Sequence, residues 1–180
     1  MASNTNKFSN SIVRVCRVLF GFVAVYVAAI IASDAWNFIT ADVVLRRWVL
    51  AAIMLFATGA VWYLARQGSK SQAFYKLLVW SLIFVYSGVA SYSVYHSRGV
   101  SSRSVMLFAI PILLAGVLAS RVATFTAAIL TTTAYMLTVV LYSTTNPGEG
   151  YKAELYTEAG FYVALFFVIA ALIIVVQNKN

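Results

Sequence analysis

The stretch from Ser104 to Tyr142 constrains the fold more than any other part of the chain. It consists of two long apolar runs that are separated by a single charged residue, Arg121. Each run is close to the length that crosses a hydrocarbon core as a helix, about 20 residues with a range of roughly 17–25. The join Ala119-Ser120-Arg121 is long enough only for a tight turn. The stretch therefore predicts a hairpin of two membrane-spanning helices.

The composition extends this interpretation to the whole chain of 180 residues. Hydrophobic residues make up 62% of the sequence and charged residues only 10%, with a mean hydropathy of +0.87. Soluble domains are typically about 45–50% apolar and about 25% charged. Both departures predict an all-α integral membrane protein, with one domain over residues 1–180 and short loops between its helices.

Six apolar runs, each bounded by polar or charged residues, predict a bundle of six transmembrane helices. Their approximate limits are residues 12–32, 48–65, 74–95, 104–119, 122–142 and 159–176. The polar residues from Met1 to Ser11 are predicted to be a frayed tail, as is common at chain ends. An even number of spans places both termini on the same side of the membrane.

The distribution of charge predicts which side that is. With both termini inside, the inner segments hold eight of the 13 basic residues, which are Lys7, Arg14, Arg17, Arg66, Lys70, Lys76, Arg121 and Lys179. The five acidic residues all fall outside, and they are Asp34, Asp42, Glu149, Glu154 and Glu158. Basic residues concentrate on the cytoplasmic side of membrane proteins. The pattern predicts cytoplasmic N and C termini in a plasma membrane.

The concentration of basic residues on the inner segments also explains the net charge of +8. A basic inner face suits the anionic lipids of a cytoplasmic leaflet. Membrane lipids are therefore the expected partners, together with a second copy in a homodimer or the other subunits of a membrane complex. Nucleic acid is not an expected partner.

Several kinds of chemistry find no support in the sequence. Ionisable residues near the centre of a span usually mark proton relays and ion pathways, and none of the predicted spans has one. The single cysteine, Cys16, and the single histidine, His96, are too few for a metal site built from these residues. No phosphate-binding glycine motif or nucleophile motif occurs. We therefore expect no enzyme active site, no metal and no cofactor.

Hydroxyl-bearing residues form a stripe along the fifth predicted span. Thr124, Thr131, Tyr135, Thr138 and Tyr142 follow one another at steps of three, four or seven, which places them on one side of a helix. The stripe predicts either a polar seam that lines a ligand cavity or a face for helix packing. Packing is the more common use of such a stripe. In both cases we expect Tyr135 to point into the bundle, towards the third and fourth spans.

Two further features in neighbouring spans have similar alternatives. Ser87 and Ser91 lie four residues apart in the third span, with Tyr92 beside them, and small residues at this spacing let helices approach closely. They predict a packing face or one edge of a ligand site. Pro111 is the one proline inside a predicted span, and it removes a backbone donor. It predicts either a static kink or a hinge that transmits a signal.

The opening hairpin resembles a known kind of module. Its sequence, FAIPILLAGVLASRVATFTAAILTTTAYMLTVVLY, is similar to the hairpin of the fourth and fifth helices in the six-helix membrane sensor modules of bacterial sensor histidine kinases and related signalling proteins. The residues that carry this resemblance are Pro111, Gly116, Ser120, Arg121 and Tyr135. The resemblance implies a location in a bacterial inner membrane. The 180 residues from Met1 to Asn180 include neither the phosphoacceptor region nor the ATP-binding domain of such kinases. The resemblance therefore implies a sensor or signalling input module without its own catalytic domain.

Two other functions stay open from the sequence alone. A substrate-binding component of an energy-coupling-factor vitamin transporter has a similar length and number of spans, although such components usually contain more glycine than this chain. An accessory subunit of a larger membrane complex would need only lipid and protein contacts. Bound vitamin would favour the transporter, and large co-purifying partners would favour the accessory subunit.

Overall fold

The computed structural model describes residues 2–36, 40–67, 71–97, 99, 102–146 and 153–178. These residues are helical apart from turns and connections, and none of them forms a strand. A 3₁₀ helix, Arg103–Phe108, runs directly into the fourth α-helix. The α-helices are α1 (Ala2–Ala35), α2 (Ala41–Arg66), α3 (Gln72–His96), α4 (Ala109–Leu118), α5 (Arg121–Thr145) and α6 (Ala153–Gln177).

The helices have the length and apolar character of membrane spans. Among the described residues, five segments are suitable, and they are Phe8–Ala35, Ala41–Arg66, Gln72–His96, Arg121–Thr145 and Tyr156–Gln177. A helix satisfies all of its interior backbone groups internally, which is a requirement inside hydrocarbon. The chain is therefore an all-α, multi-pass membrane protein. The segment Arg103–Leu118 is apolar but shorter than the other five.

The predicted limits of several helices were wrong. The prediction of a frayed tail fails because α1 begins at Ala2 instead of residue 12, and α2 begins at Ala41 instead of residue 48. α5 and α6 also extend past their predicted limits at both ends. Hydropathy locates only the part of a helix that matches the hydrocarbon, whereas the backbone hydrogen bonds continue through polar residues. At α2, the extended Thr40 and the acidic Asp42 in the first turn provide the favourable start.

The fourth predicted span, residues 104–119, has two kinds of helix instead of one. Arg103–Phe108 is wound as a 3₁₀ helix, and α4 begins at Ala109. Ser102 precedes the 3₁₀ segment, and its hydroxyl accepts a hydrogen bond from the Ser104 N–H at 3.1 Å. Pro111 is the third residue of α4, so its missing N–H falls just after the winding changes from 3₁₀ to α-helical.

The structure divides into two compact units, Met1–Leu78 and Val79–Asn180. In the first unit, α1 packs along α2, with a buried cluster of Ile30, Val44 and Ala51 near one end. Ser9 donates a 2.6 Å hydrogen bond to the carbonyl oxygen of Ala65 near the other end. The prediction of a single domain over residues 1–180 stays a prediction.

The second unit contains the rest of α3 and all later elements. α4, α5 and α6 contact one another in pairs. α4 and α5 are joined only by Ala119 and Ser120, and the Ser120 hydroxyl accepts a hydrogen bond from the Ala123 N–H at the start of α5. The predicted tight turn between these two helices is therefore confirmed. The core of this unit includes large fully buried side chains on three elements, among them Phe108, Tyr135 and Phe166.

Candidate functional site

The hydroxyl-bearing stripe of α5 lies on its buried side. Thr124, Thr131, Tyr135 and Thr138 are all buried, and Tyr142 is half-buried. Residues such as Val122, Phe125 and Leu137 on the other side of the same helix are exposed. The stripe therefore faces protein and not the surface, and its role as a ligand site or a packing face depends on what its hydroxyls bind.

The threonine hydroxyls of the stripe are each satisfied by the carbonyl group four residues earlier in the chain. Thr124 donates to the carbonyl oxygen of Ser120, and Thr131 donates to that of Ala127. The Thr138 hydroxyl donates to the carbonyl oxygen of Ala134 at 2.7 Å. This bond to the preceding turn is a common solution for a hydroxyl in a helix. These three hydroxyls therefore need no ligand to satisfy their donors, and the choice between a packing face and a ligand seam stays a prediction.

Tyr135 is surrounded by three aromatic rings from two other elements, those of Phe108, Tyr162 and Phe166. We refer to these three residues and Tyr135 as the Tyr135 cluster. The ring centroid of Tyr135 lies 5.6 Å from that of Phe108, 5.8 Å from that of Phe166 and 6.2 Å from that of Tyr162. The interplanar angles of 70°, 87° and 78° are edge-to-face. This is a favoured geometry for aromatic pairs, worth about 0.5–1.5 kcal/mol beyond burial. The cluster fixes the orientation of the Tyr135 ring.

The Tyr135 hydroxyl differs from the threonine hydroxyls because it has no hydrogen-bond partner among the described residues. Its side chain is fully buried, at 0% exposure. A buried polar group without a partner costs roughly 1–3 kcal/mol. Such groups are rare in proteins and need an explanation, for example a catalytic role, a source of strain or a bound polar molecule. The hydroxyl can donate one hydrogen bond and accept others.

The direction of Tyr135 was partly predictable. The prediction that it points into the bundle is confirmed by its burial, but its ring neighbours are Phe108 just before α4 and two residues of α6. The contribution of α6 was missed. Tyr162 and Phe166 lie four residues apart and so share one face of that helix, which is the one signal in the sequence that could have identified them.

The predicted residues of α3 separate into two groups. Ser87 is buried, and its hydroxyl has no hydrogen-bond partner among the described residues, so it does not bond to the α5 stripe. Ser91 is half-buried. Tyr92 is 41% exposed, and its ring stacks on His96 with centroids 4.1 Å apart.

An aromatic group connects the end of α3 with the end of α5. Tyr95 lies edge-to-face with Tyr142, and its hydroxyl is 3.3 Å from that of Thr145. Gly99 has a φ of +60°, and a side chain there would meet the Tyr142 ring. Tyr142 therefore packs in this end group and is not among the aromatic neighbours of Tyr135 described above.

The described part of the chain contains no set of side chains that could bind a metal ion. No three His, Cys, Asp or Glu side chains there come together in a possible metal site. Cys16 is buried in α1 as a free thiol. The polar chemistry available at the Tyr135 cluster is therefore hydrogen bonding by its two phenols, those of Tyr135 and Tyr162, in an aromatic environment.

Comparison with protein-family models, with curated proteins and with solved structures gives no significant match.

Proposed function

We propose that the chain is a membrane-embedded sensor module that passes a stimulus to a catalytic domain or subunit elsewhere. The observation that carries this proposal is the Tyr135 hydroxyl, which is fully buried without a hydrogen-bond partner among the described residues. It lies where α5 meets α6 and the 3₁₀ segment before α4. This is a position from which a change at one side chain can reach three helical segments.

The energetics of this hydroxyl favour a two-state element. The present arrangement includes a penalty of roughly 1–3 kcal/mol for the unpartnered group. A second arrangement that supplies a partner, from a bound molecule or from a shifted helix, recovers that energy. A stimulus that changes the difference between the two arrangements changes their populations. Energies of this size give fold-changes of five or more in such an equilibrium.

α6 is the element best placed to carry the change to one end of the second unit. It holds Tyr162 and Phe166 against Tyr135, and it continues without interruption to Gln177. Gln177 lies 11 positions after Phe166, which corresponds to about 16 Å at 1.5 Å per residue. A rigid helix of this length transmits rotation or translation of its clustered end to its other end.

The proposal includes six spans with cytoplasmic termini in a bacterial inner membrane. The short segment Arg103–Leu118 supports the sixth span because its first six residues are 3₁₀ and its last ten are α-helical. With rises of about 2.0 Å and 1.5 Å per residue, the segment is roughly 27 Å long, close to the hydrocarbon thickness of about 30 Å. The basic inner segments support the orientation.

Cysteine labelling tests this topology. In a Cys16→Ala background, a cysteine at Ser71 should react only after the membrane is permeabilised, whereas cysteines at Ser101 and Thr145 should react in intact cells. The cysteine-free parent protein is the control for background labelling. Labelling of position 71 from outside, with positions 101 and 145 protected, would show that the orientation is reversed.

A fusion to a histidine-kinase catalytic region tests the sensor function without knowledge of the stimulus. The full chain is joined through Asn180 to the kinase, the fusion is reconstituted in nanodiscs, and autophosphorylation is measured. We expect Tyr135→Phe to change the basal output roughly five-fold or more, since about 1 kcal/mol shifts a two-state equilibrium by that factor. Tyr156→Phe is the matched control, because Tyr156 is 59% exposed.

Equal output from the parent, Tyr135→Phe and Tyr156→Phe fusions would contradict the sensor proposal. Mass spectrometry of the chain purified in mild detergent addresses the alternatives. A stoichiometric bound vitamin would instead favour a transporter component, and a stable large partner would favour an accessory subunit. A homodimer in the same experiment would agree with the paired arrangement of sensor kinases.

Pro111→Ala distinguishes the static and hinge interpretations of the proline. Because the backbone at position 111 already accommodates proline, Pro111→Ala should act mainly on the entropy of the unfolded chain, and we expect a change in unfolding free energy of about 1 kcal/mol or less. We also expect normal output from the kinase fusion. Normal abundance together with lost output would show that the proline is a hinge and that the static interpretation is wrong.

A further inference from the structure

We propose that the second unit holds an acidic phospholipid in a groove at the α4–α5 turn. The groove has a volume of about 920 Å³ and lies where this turn meets the last turns of α6. We refer to it as the turn groove. Its lining residues are Gly116, Val117, Ala119, Ser120, Arg121, Val122, Leu172, Ile173, Val176 and Gln177. The proposal does not rest on the sensor function.

The polar end of the turn groove is ordered by hydrogen bonds between helix ends. The Arg121 guanidinium donates from Nη2 to the carbonyl oxygen of Gln177 at 3.3 Å. The Gln177 side-chain amide donates in turn to the carbonyl oxygen of Gly116. These bonds satisfy carbonyl groups near the ends of α6 and α4. They also fix the position of a positive charge at the mouth of the groove.

The guanidinium retains donors for a ligand. Arginine has five N–H donors in a planar fork, and the bond to Gln177 uses one of them. Arg121 is exposed, and within the described residues it forms no ion pair with a carboxylate. On α6 the nearest acidic residue to Gln177 is Glu158, which is 19 positions away and so about 28 Å along the helix. The charge complementarity of the site therefore favours an anion, and a phosphate suits the planar fork of arginine.

The other walls of the turn groove are apolar and accessible. Val117, Leu172 and Val176 line it, and they are 66%, 62% and 61% exposed. A free phosphate ion would use only the arginine. An acidic phospholipid would contact both the arginine and the apolar walls, with its phosphate at Arg121 and an acyl chain along the valine and leucine side chains. The position of Arg121 between two apolar runs places it at the depth of a headgroup.

Native mass spectrometry of the purified full chain tests the proposal, with dioleoyl phosphatidylglycerol and dioleoyl phosphatidylcholine as matched probes. We expect the wild-type chain to retain phosphatidylglycerol roughly five-fold more tightly, the effect of one basic side chain near an anionic lipid. Arg121→Gln should remove that preference. Arg103→Gln is the matched control, because Arg103 is also exposed but precedes the opposite end of α4.

A second variant tests the apolar part of the site. Val117→Trp adds a bulky ring at an exposed position of the turn groove, so it should weaken retention of both lipids without unfolding the chain. Equal retention of the two lipids by the wild-type chain would overturn the proposal, and this comparison needs no variant to fold. An equal loss in Arg121→Gln and Arg103→Gln would also overturn it. A wild-type dimer that Val117→Trp dissociates would show that a second copy occupies the groove instead.

Discussion

Tyr135→Ala is expected to lower the free energy of unfolding of the second unit by about 3–5 kcal/mol, the usual cost of removing a large buried aromatic ring. The ring contacts Phe108, Tyr162 and Phe166, so its loss leaves a cavity between three helical segments. Tyr135→Phe should have the opposite effect on the free energy of unfolding. It keeps the ring and removes the unpartnered hydroxyl, and we expect stability to rise by roughly 1 kcal/mol or more.

Unfolding in mixed micelles, followed by circular dichroism, measures both changes. Tyr156→Phe serves again as the control, because its exposed hydroxyl should contribute little to stability. If Tyr135→Phe instead lowers stability by 1 kcal/mol or more, the hydroxyl makes a favourable interaction in the folded chain. The account of the site as a strained, switchable group would then be wrong.

Gly116→Ala should destabilise the packing of α4 on α6 by about 1–3 kcal/mol, the typical cost of overpacking. A Cβ atom at position 116 would collide with Cγ2 of Ile173. Isoleucine is branched at Cβ and has few alternative χ1 rotamers in a helix, so Ile173 cannot move aside at low cost. The hydrogen bond from the Gln177 amide to the Gly116 carbonyl lies at the same contact and would be disturbed as well.

Gly88→Ala is the matched control, because nothing lies within 4 Å of the added carbon. It should be neutral or stabilising by up to about 1 kcal/mol, the difference between the helix propensities of glycine and alanine. The double variant Gly116→Ala with Ile173→Ala tests the mechanism directly. If Ile173 causes the collision, the two changes together should cost less than the sum of the single effects. Strict additivity would assign the loss to some other contact.

Much of the fold could be predicted because hydropathy reports on burial in lipid. The six apolar runs all correspond to helices, and the single charge at Arg121 correctly separates two of them. The ends of the helices were less predictable, since backbone hydrogen bonding continues where hydropathy falls. Residues 103–108 show a further limit, because an apolar run does not distinguish 3₁₀ from α-helical winding.

The candidate site was predictable along one helix but not between helices. The spacing of Thr131, Tyr135 and Thr138 indicates a common face, and all three are buried. Which of them lacks a partner depends on local geometry, because a threonine reaches its own preceding turn whereas the long tyrosine side chain does not. The approach of Gly116 to Ile173 also depends on packing between segments 57 positions apart, which no local pattern reports.

The self-bonded threonines of α5 have a mechanical consequence. Each of these threonines donates a hydrogen bond to the carbonyl four residues earlier, so their side chains form no polar link to α4 or α6. The acceptors are Ser120, just before α5, for Thr124, and residues of α5 for Thr131 and Thr138. Over this buried length, α5 can turn about its own axis without breaking any of those bonds. Resistance to that rotation therefore comes from ring packing, at the Tyr135 cluster and between Phe125 and Phe167, and from the hydrogen bond between Arg121 and Gln177 at the start of α5.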